Sequence, residues 1–165
     1  MNQGRERERG LTLTELTVTM VLAVIVMTGL VVFYLNSQAV WMDGSAQAIT
    51  QREATLVVNE IANRARGASL ANFYVGPPAI LTLKMGNQSS KQYEFKWDSD
   101  LLLYETYTDA SGNVFPRGPV LQSRVSAFRV GIIGGMVYDT LTVQTPQGSL
   151  VTLASSAAMI NLGAN

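Results

Sequence analysis

The sequence predicts an α+β protein, a long N-terminal helix packed on an antiparallel β-sheet domain, on two observations. Residues 11–66 contain no proline and only two glycines, Gly29 and Gly44, so nothing strongly interrupts a helix there. From Leu81 onward, short alternating runs separated by Gly, Pro, Asp and Asn clusters read as strands and turns. A helix followed by a series of strands, in place of regular βαβ alternation, is the α+β pattern.

Length and composition limit what this fold can do. The 165 residues accommodate one domain plus one membrane or linker element. Twelve basic and twelve acidic side chains cancel, so no net field draws the chain to nucleic acid or anionic lipid. There is no cysteine, so a secreted domain would rest on its core alone, and cysteine usage is silent on redox compartment. There is no histidine either, which removes Ser-His-Asp and Cys-His nucleophilic sites and histidine-ligated metals. No enzymatic role and no cofactor are expected.

The helix opens with a membrane-length segment. Residues 1–10 are polar and hold Arg5, Arg7 and Arg9, and without them the chain keeps 9 basic and 10 acidic groups. Residues 16–35 carry no charge, and the next charge after Glu15 is Asp43. At ~1.5 Å per residue, 20 helical residues cover ~30 Å, the thickness of bilayer hydrocarbon. Arginines before the span place the N-terminus inside and the C-terminal domain outside, a single-pass topology. Tyr34 and Trp41, seven apart on one helix face, suit either the outer interface or ordinary packing. Ser37-Gln38-Ala39 has the small-x-small look of a signal cleavage site, but a 20-residue apolar run exceeds the ~7–15 of a signal core. Glu15 is costly beside such a segment and calls for a partner or a job. Thr12-Leu13-Thr14-Glu15 fits the Ser/Thr-x-x-Glu capping box, with Thr12 as the cap, and an acid in the first turn suits the helix dipole.

A short basic leader ending in Gly10, then Leu11, then a carboxylate at the fifth following position, resembles the class III signal of type IV pilins and type II secretion pseudopilins. The resemblance implies cleavage between Gly10 and Leu11 by a prepilin peptidase and N-methylation of Leu11, which stands where Phe is commoner. It further implies that Glu15 pairs with the N-terminal ammonium of a neighbouring subunit, fixing axial register in a filament. Four segments follow: a cleaved leader 1–10, a transmembrane and assembly half 11–35, an amphipathic half 36–68 and a β domain 69–165. The family's helices often loosen near a proline that this chain lacks, so Gly29 is the candidate for local melting.

In the second half of the helix, Ile49, Leu56, Val57, Ile61, Ala65 and Ala68 recur at spacings of seven, four and three, a stripe expected to cover one sheet face. Gly67 and then Gly76-Pro77-Pro78 end the helix and turn the chain. Strands are expected over residues 81–85, 93–97, 101–108, 120–122, 128–132, 136–145 and 150–154. Gly134-Gly135 is expected as a tight hairpin turn, with further turns at residues 98–100, 109–113 and 146–148. Residues 58–66, 93–107 and 120–130 resemble the helix end, first meander and "leucine, then V-x-x-F" strand of J-type pseudopilins and W-type minor pilins. The lack of a cysteine pair departs from pilins whose C-terminal loop is closed by a disulfide.

Other candidate sites are weaker. Asp98 and Asp100, with Asp109 in the next turn, supply too few oxygens for calcium without backbone and water, and Asp in turns ordinarily serves turn geometry. Glu94 and Glu105 sit in strand patterns where a polar residue on the solvent face is the ordinary case. Lys84, Lys91, Lys96, Arg124 and Arg129 lie near Tyr93 and Trp97, but alternation puts Tyr93, Phe95 and Trp97 on the buried face, which argues against nucleic acid. Gly134-Gly135 has no following helix and is no phosphate loop. The functional expectation is a minor pilin or pseudopilin assembled through its helix. Its implied partners are prepilin peptidase, other pilin or pseudopilin subunits, an inner-membrane assembly platform and membrane lipid. The alternative is a single-span anchored extracytoplasmic domain that binds DNA or a secreted substrate and enters no filament.

Overall fold

The computed structural model describes residues 12–86 and 91–161. One helix, α1 (Leu13–Gly67), precedes eight strands: β1 (Ala68–Tyr74), β2 (Ala79–Met85), β3 (Gln92–Trp97), β4 (Leu103–Thr108), β5 (Val114–Pro119), β6 (Arg124–Ile133), β7 (Met136–Gln144) and β8 (Leu150–Ala158). The fold class is α+β, as the sequence predicts. The chain divides into two compact units, Met1–Met42 and Asp43–Asn165.

Within the second unit the strands form two antiparallel meanders, β1-β2-β3-β4-β5 and β6-β7-β8, and β1 lies beside β6 without joining it. Gly134 and Gly135 both have positive φ and link Ile133 to Met136 directly, the two-residue turn that matches strand twist. The core forms where α1 lays Thr50, Ala54, Val57, Val58, Ile61, Ala62 and Ala65 over inward rows of both sheets. Those rows include Leu81 and Leu83 on β2, Phe95 on β3, Leu103 on β4 and Val137, Leu141 and Val143 on β7. Alanines at 54, 62 and 65 shorten the helix side of this contact, so the large residues of the sheets fill the space.

Four expectations are corrected. Ile49 and Leu56 are 61% and 62% exposed. At 100° per residue they sit roughly 150° from the centre of the buried stripe, which Thr50 and Ala54 complete in their place. Residues 120–122 form no strand; they carry the chain from one sheet to the other, with Leu121 buried and the Val120 N–H bonded to the Leu103 carbonyl at 2.8 Å. Two strands were not expected at all: β1, which leaves the helix with no intervening turn, and β5, which contains Pro116 and Pro119. Proline is tolerated in β5 because it is an edge strand whose outer N–H groups have no ladder partner. Finally, Glu105 is 6% exposed, because it shares a face with buried Leu103.

Candidate functional site

The N-terminal turn of α1 is built by two residues, Thr12 and Glu15. Thr12 precedes the helix, and its Oγ1 accepts the Glu15 N–H at 3.3 Å. In return the Thr12 N–H donates to Glu15 Oε2 at 2.9 Å, and the Thr12 hydroxyl donates to the same oxygen at 3.0 Å. This reciprocal arrangement satisfies two otherwise orphaned N–H groups. Both bonds fall on Oε2, and Oε1 accepts none among the described residues. Among the described residues, one carboxylate oxygen is thus without a partner while the cap stays intact. Gly10 and Leu11 lie outside the described residues.

From Leu16 to Leu35 the helix carries no charge and is apolar on every side. Its large side chains from Leu16 to Leu35 are all at least half exposed. Bare apolar surface of this extent is paid for in water at roughly 25 cal/mol per Å², and it therefore needs a non-aqueous neighbour. The polar atoms in the segment are matched to such a neighbour. Thr17, Thr19 and Thr28 donate their hydroxyls to the carbonyls of Leu13, Glu15 and Val24, at 2.8, 2.7 and 2.8 Å. Hydroxyls bonded back to their own helix leave no bare donor in hydrocarbon. At the far end Gln38 Nε2 donates to the Tyr34 hydroxyl at 2.7 Å. Gly29 has open space around its Cα, and α1 continues through it.

The remaining sequence candidates fall into separate environments. Asp98 is held by Lys96 Nζ at 2.7 Å and by the Ser99 N–H at 2.7 Å, and these bonds lower its pKa. Asp100 accepts the Leu102 N–H at 3.0 Å and the Tyr104 hydroxyl, a bond that raises the tyrosine's pKa. Asp109 accepts the N–H groups of Ser111 and Asn113, and the Asn113 side chain with these lowers its pKa. All three carboxylates are used by their own turns, and no acidic cluster that could hold a metal occurs among the described residues. Glu94 and Glu105 do not meet: Glu105 stands opposite Phe95, one residue out of register with Glu94, and so on the other sheet face.

Two buried groups were missed by sequence reasoning. Glu105 Oε1 lies 3.9 Å from Arg64 Nε and 3.6 Å from an Arg117 nitrogen, while Arg64 also pairs with Glu60. The Arg64 guanidinium sits 4.1 Å from the centre of the Tyr93 ring, so this cluster ties α1 to β3, β4 and β5 by charge and by cation–π contact. Its signal was legible: Leu103 and Glu105 share strand parity. The second group is Asp139, 2% exposed in the inward row of β7, with Oδ2 unpartnered among the described residues. Burial raises its pKa to about 6, against a smaller opposing effect of its own backbone N–H. Val137, Asp139, Leu141 and Val143 alternate strictly, which marks Asp139 as an inward carboxylate.

These features define a protein of a simple class: among the described residues, one N-terminal helix long and apolar enough to cross a membrane, followed by an antiparallel β domain. Comparison with protein families, with curated proteins and with solved structures returns no match.

Proposed function

We propose that the chain is a minor pilin or pseudopilin, a structural subunit that assembles through its N-terminal helix into a pilus-like or type II secretion filament or its tip. In this reading prepilin peptidase cuts between Gly10 and Leu11, and Leu11 is N-methylated. Residues 16–35 hold the subunit in the inner membrane, with the β domain outside, until an assembly platform moves it into the filament. The observation that carries the reading is Glu15: a carboxylate at the mouth of the uncharged segment 16–35, with one oxygen engaged in the cap and the other without a partner among the described residues. A neighbour's ammonium at that oxygen would neutralise the charge where the dielectric is low.

Co-expression with prepilin peptidase followed by intact-mass measurement tests the processing step. The expected result is loss of residues 1–10 and one added methyl group. An uncut chain, or cleavage after Ala39, refutes the reading and leaves a plain anchored binding domain. A second measurement separates the two roles of Glu15. Glu15→Gln keeps the capping box and deletes the charge, so assembly should fail with Gln as well as with Ala. If Gln assembles normally and only Ala fails, the carboxylate is a cap and nothing more.

A further inference from the structure

The two sheets leave an apolar groove of about 780 Å³ between them. Its floor is the free edge of β6, because Ser126, Ala127, Phe128, Arg129 and Val130 all border it. Successive strand residues point to opposite faces, so five in a row line one cavity only where the cavity runs along the strand's edge. β6 pairs with β7 on its other side, and among the described residues no backbone bond joins 126–132 to any other element. Phe73, Trp97 and Leu101 form the facing wall. An unpaired edge at the bottom of an apolar groove has the parts that strand addition uses: main-chain groups for affinity, and side-chain pockets for selection.

Two further observations specify the occupant. Leu101 has φ of 62°, the left-handed region that Gly or Asn adopts at less cost, and it holds its side chain on the groove. Arg129 is exposed and has no ion pair or side-chain hydrogen bond among the described residues. Asp98, the carboxylate that lines the groove, is already held by Lys96 and Ser99. The rim therefore presents an uncompensated positive charge.

We propose that the groove takes an extended segment of a partner protein as an added strand on β6, with apolar side chains against Phe73, Trp97 and Leu101 and a carboxylate against Arg129. The site lies wholly within the unit Asp43–Asn165 and uses none of the residues that carry the filament reading, so either can fail without the other.

The test uses the full chain in lipid nanodiscs with Trp41→Phe, which leaves Trp97 as the only tryptophan. The probes are acetyl-Val-Thr-Leu-Glu-Phe-Thr-Val-amide, a version with Phe and Leu exchanged, the version with Lys for Glu, a backbone N-methylated version, and decanoate. The Glu peptides should shift Trp97 emission, slow amide exchange across 126–130, and bind at least about tenfold tighter than the Lys peptide. N-methylation should abolish binding, and Arg129→Glu should invert the charge preference. The proposal is overturned if no Glu peptide moves either signal, or if Arg129→Glu leaves the preference unchanged. It is equally overturned if decanoate and the N-methylated peptide bind as well as the parent, which would make the groove a site for small amphiphiles.

Discussion

Replacing Asp139 with Asn should stabilise the β domain, and by an amount that depends on pH. The carboxyl group is 2% exposed, lacks a partner at Oδ2, and has its pKa raised by burial from the ordinary 3.8 to about 6. The folded state therefore holds this proton more tightly than the unfolded state. Between pH ~4 and ~6 the folded form binds the extra proton, so stability falls as pH rises through that window and levels off above it. A shift of about two units corresponds to roughly 3 kcal/mol, an upper figure for what ionising this side chain costs at pH 7.5. Asn keeps the shape and removes the charge. Urea unfolding of a fragment spanning Asp43–Asn165, followed by circular dichroism at pH 4.0, 5.5 and 7.5, reads the effect directly. The variant and parent should coincide near pH 4 and separate to about 2–3 kcal/mol by pH 7.5, with the variant more stable. Equal separations at every pH, or a less stable variant at pH 7.5, would refute the reasoning and mean that the buried carboxylate finds a compensating donor.

Other substitutions probe packing and surface. Ile61→Ala empties a fully buried position between α1 and the sheets and should cost about 2–5 kcal/mol in the same urea assay. Ile49→Lys and Leu56→Lys should each change stability by less than about 0.5 kcal/mol, because both side chains face away from the sheets; a core-sized loss would show that they are packed. Leu101→Gly relieves a left-handed backbone worth about 1 kcal/mol but gives up apolar contact, so unfolding should change by under ~1 kcal/mol while affinity for the Glu peptide falls. A double-mutant cycle between Arg64 and Glu105 should give a coupling of about 1–2 kcal/mol, with zero coupling indicating that Arg117 alone serves the carboxylate.

The parts of the fold legible in the sequence were those with local signals. The uninterrupted helix, the Gly134-Gly135 hairpin and the alternation around Leu81 and Phe95 needed only neighbours in sequence to be recognised. What was misread depended on tertiary partners. Spacing alone puts Ile49 and Leu56 at the start of the helix stripe, but the sheets accept the small residues Thr50 and Ala54 at that height. β5 was hidden because proline argues against a strand until its place at a sheet edge is known. Glu105 was assigned to solvent by residue type, although its parity with Leu103 pointed inward. At the N-terminus the capping box was legible from four residues. That Glu15 spends only one oxygen on it is a matter of geometry, and no spacing encodes it.

The meander order has a consequence for how the chain reaches this state. Every hydrogen-bonded strand pair joins sequence neighbours, so each sheet can form as its residues emerge. The helix stripe has no such advantage. Ala54, Val57 and Ile61 are made first, while β8 ends 91 residues after α1. At ~5–20 residues per second, the end of α1 waits roughly 5–18 s for the last strand, and those side chains slightly longer. During that interval the apolar face that β6, β7 and β8 will cover has no lid of its own, and whatever shields it then acts on a species that the folded protein no longer resembles.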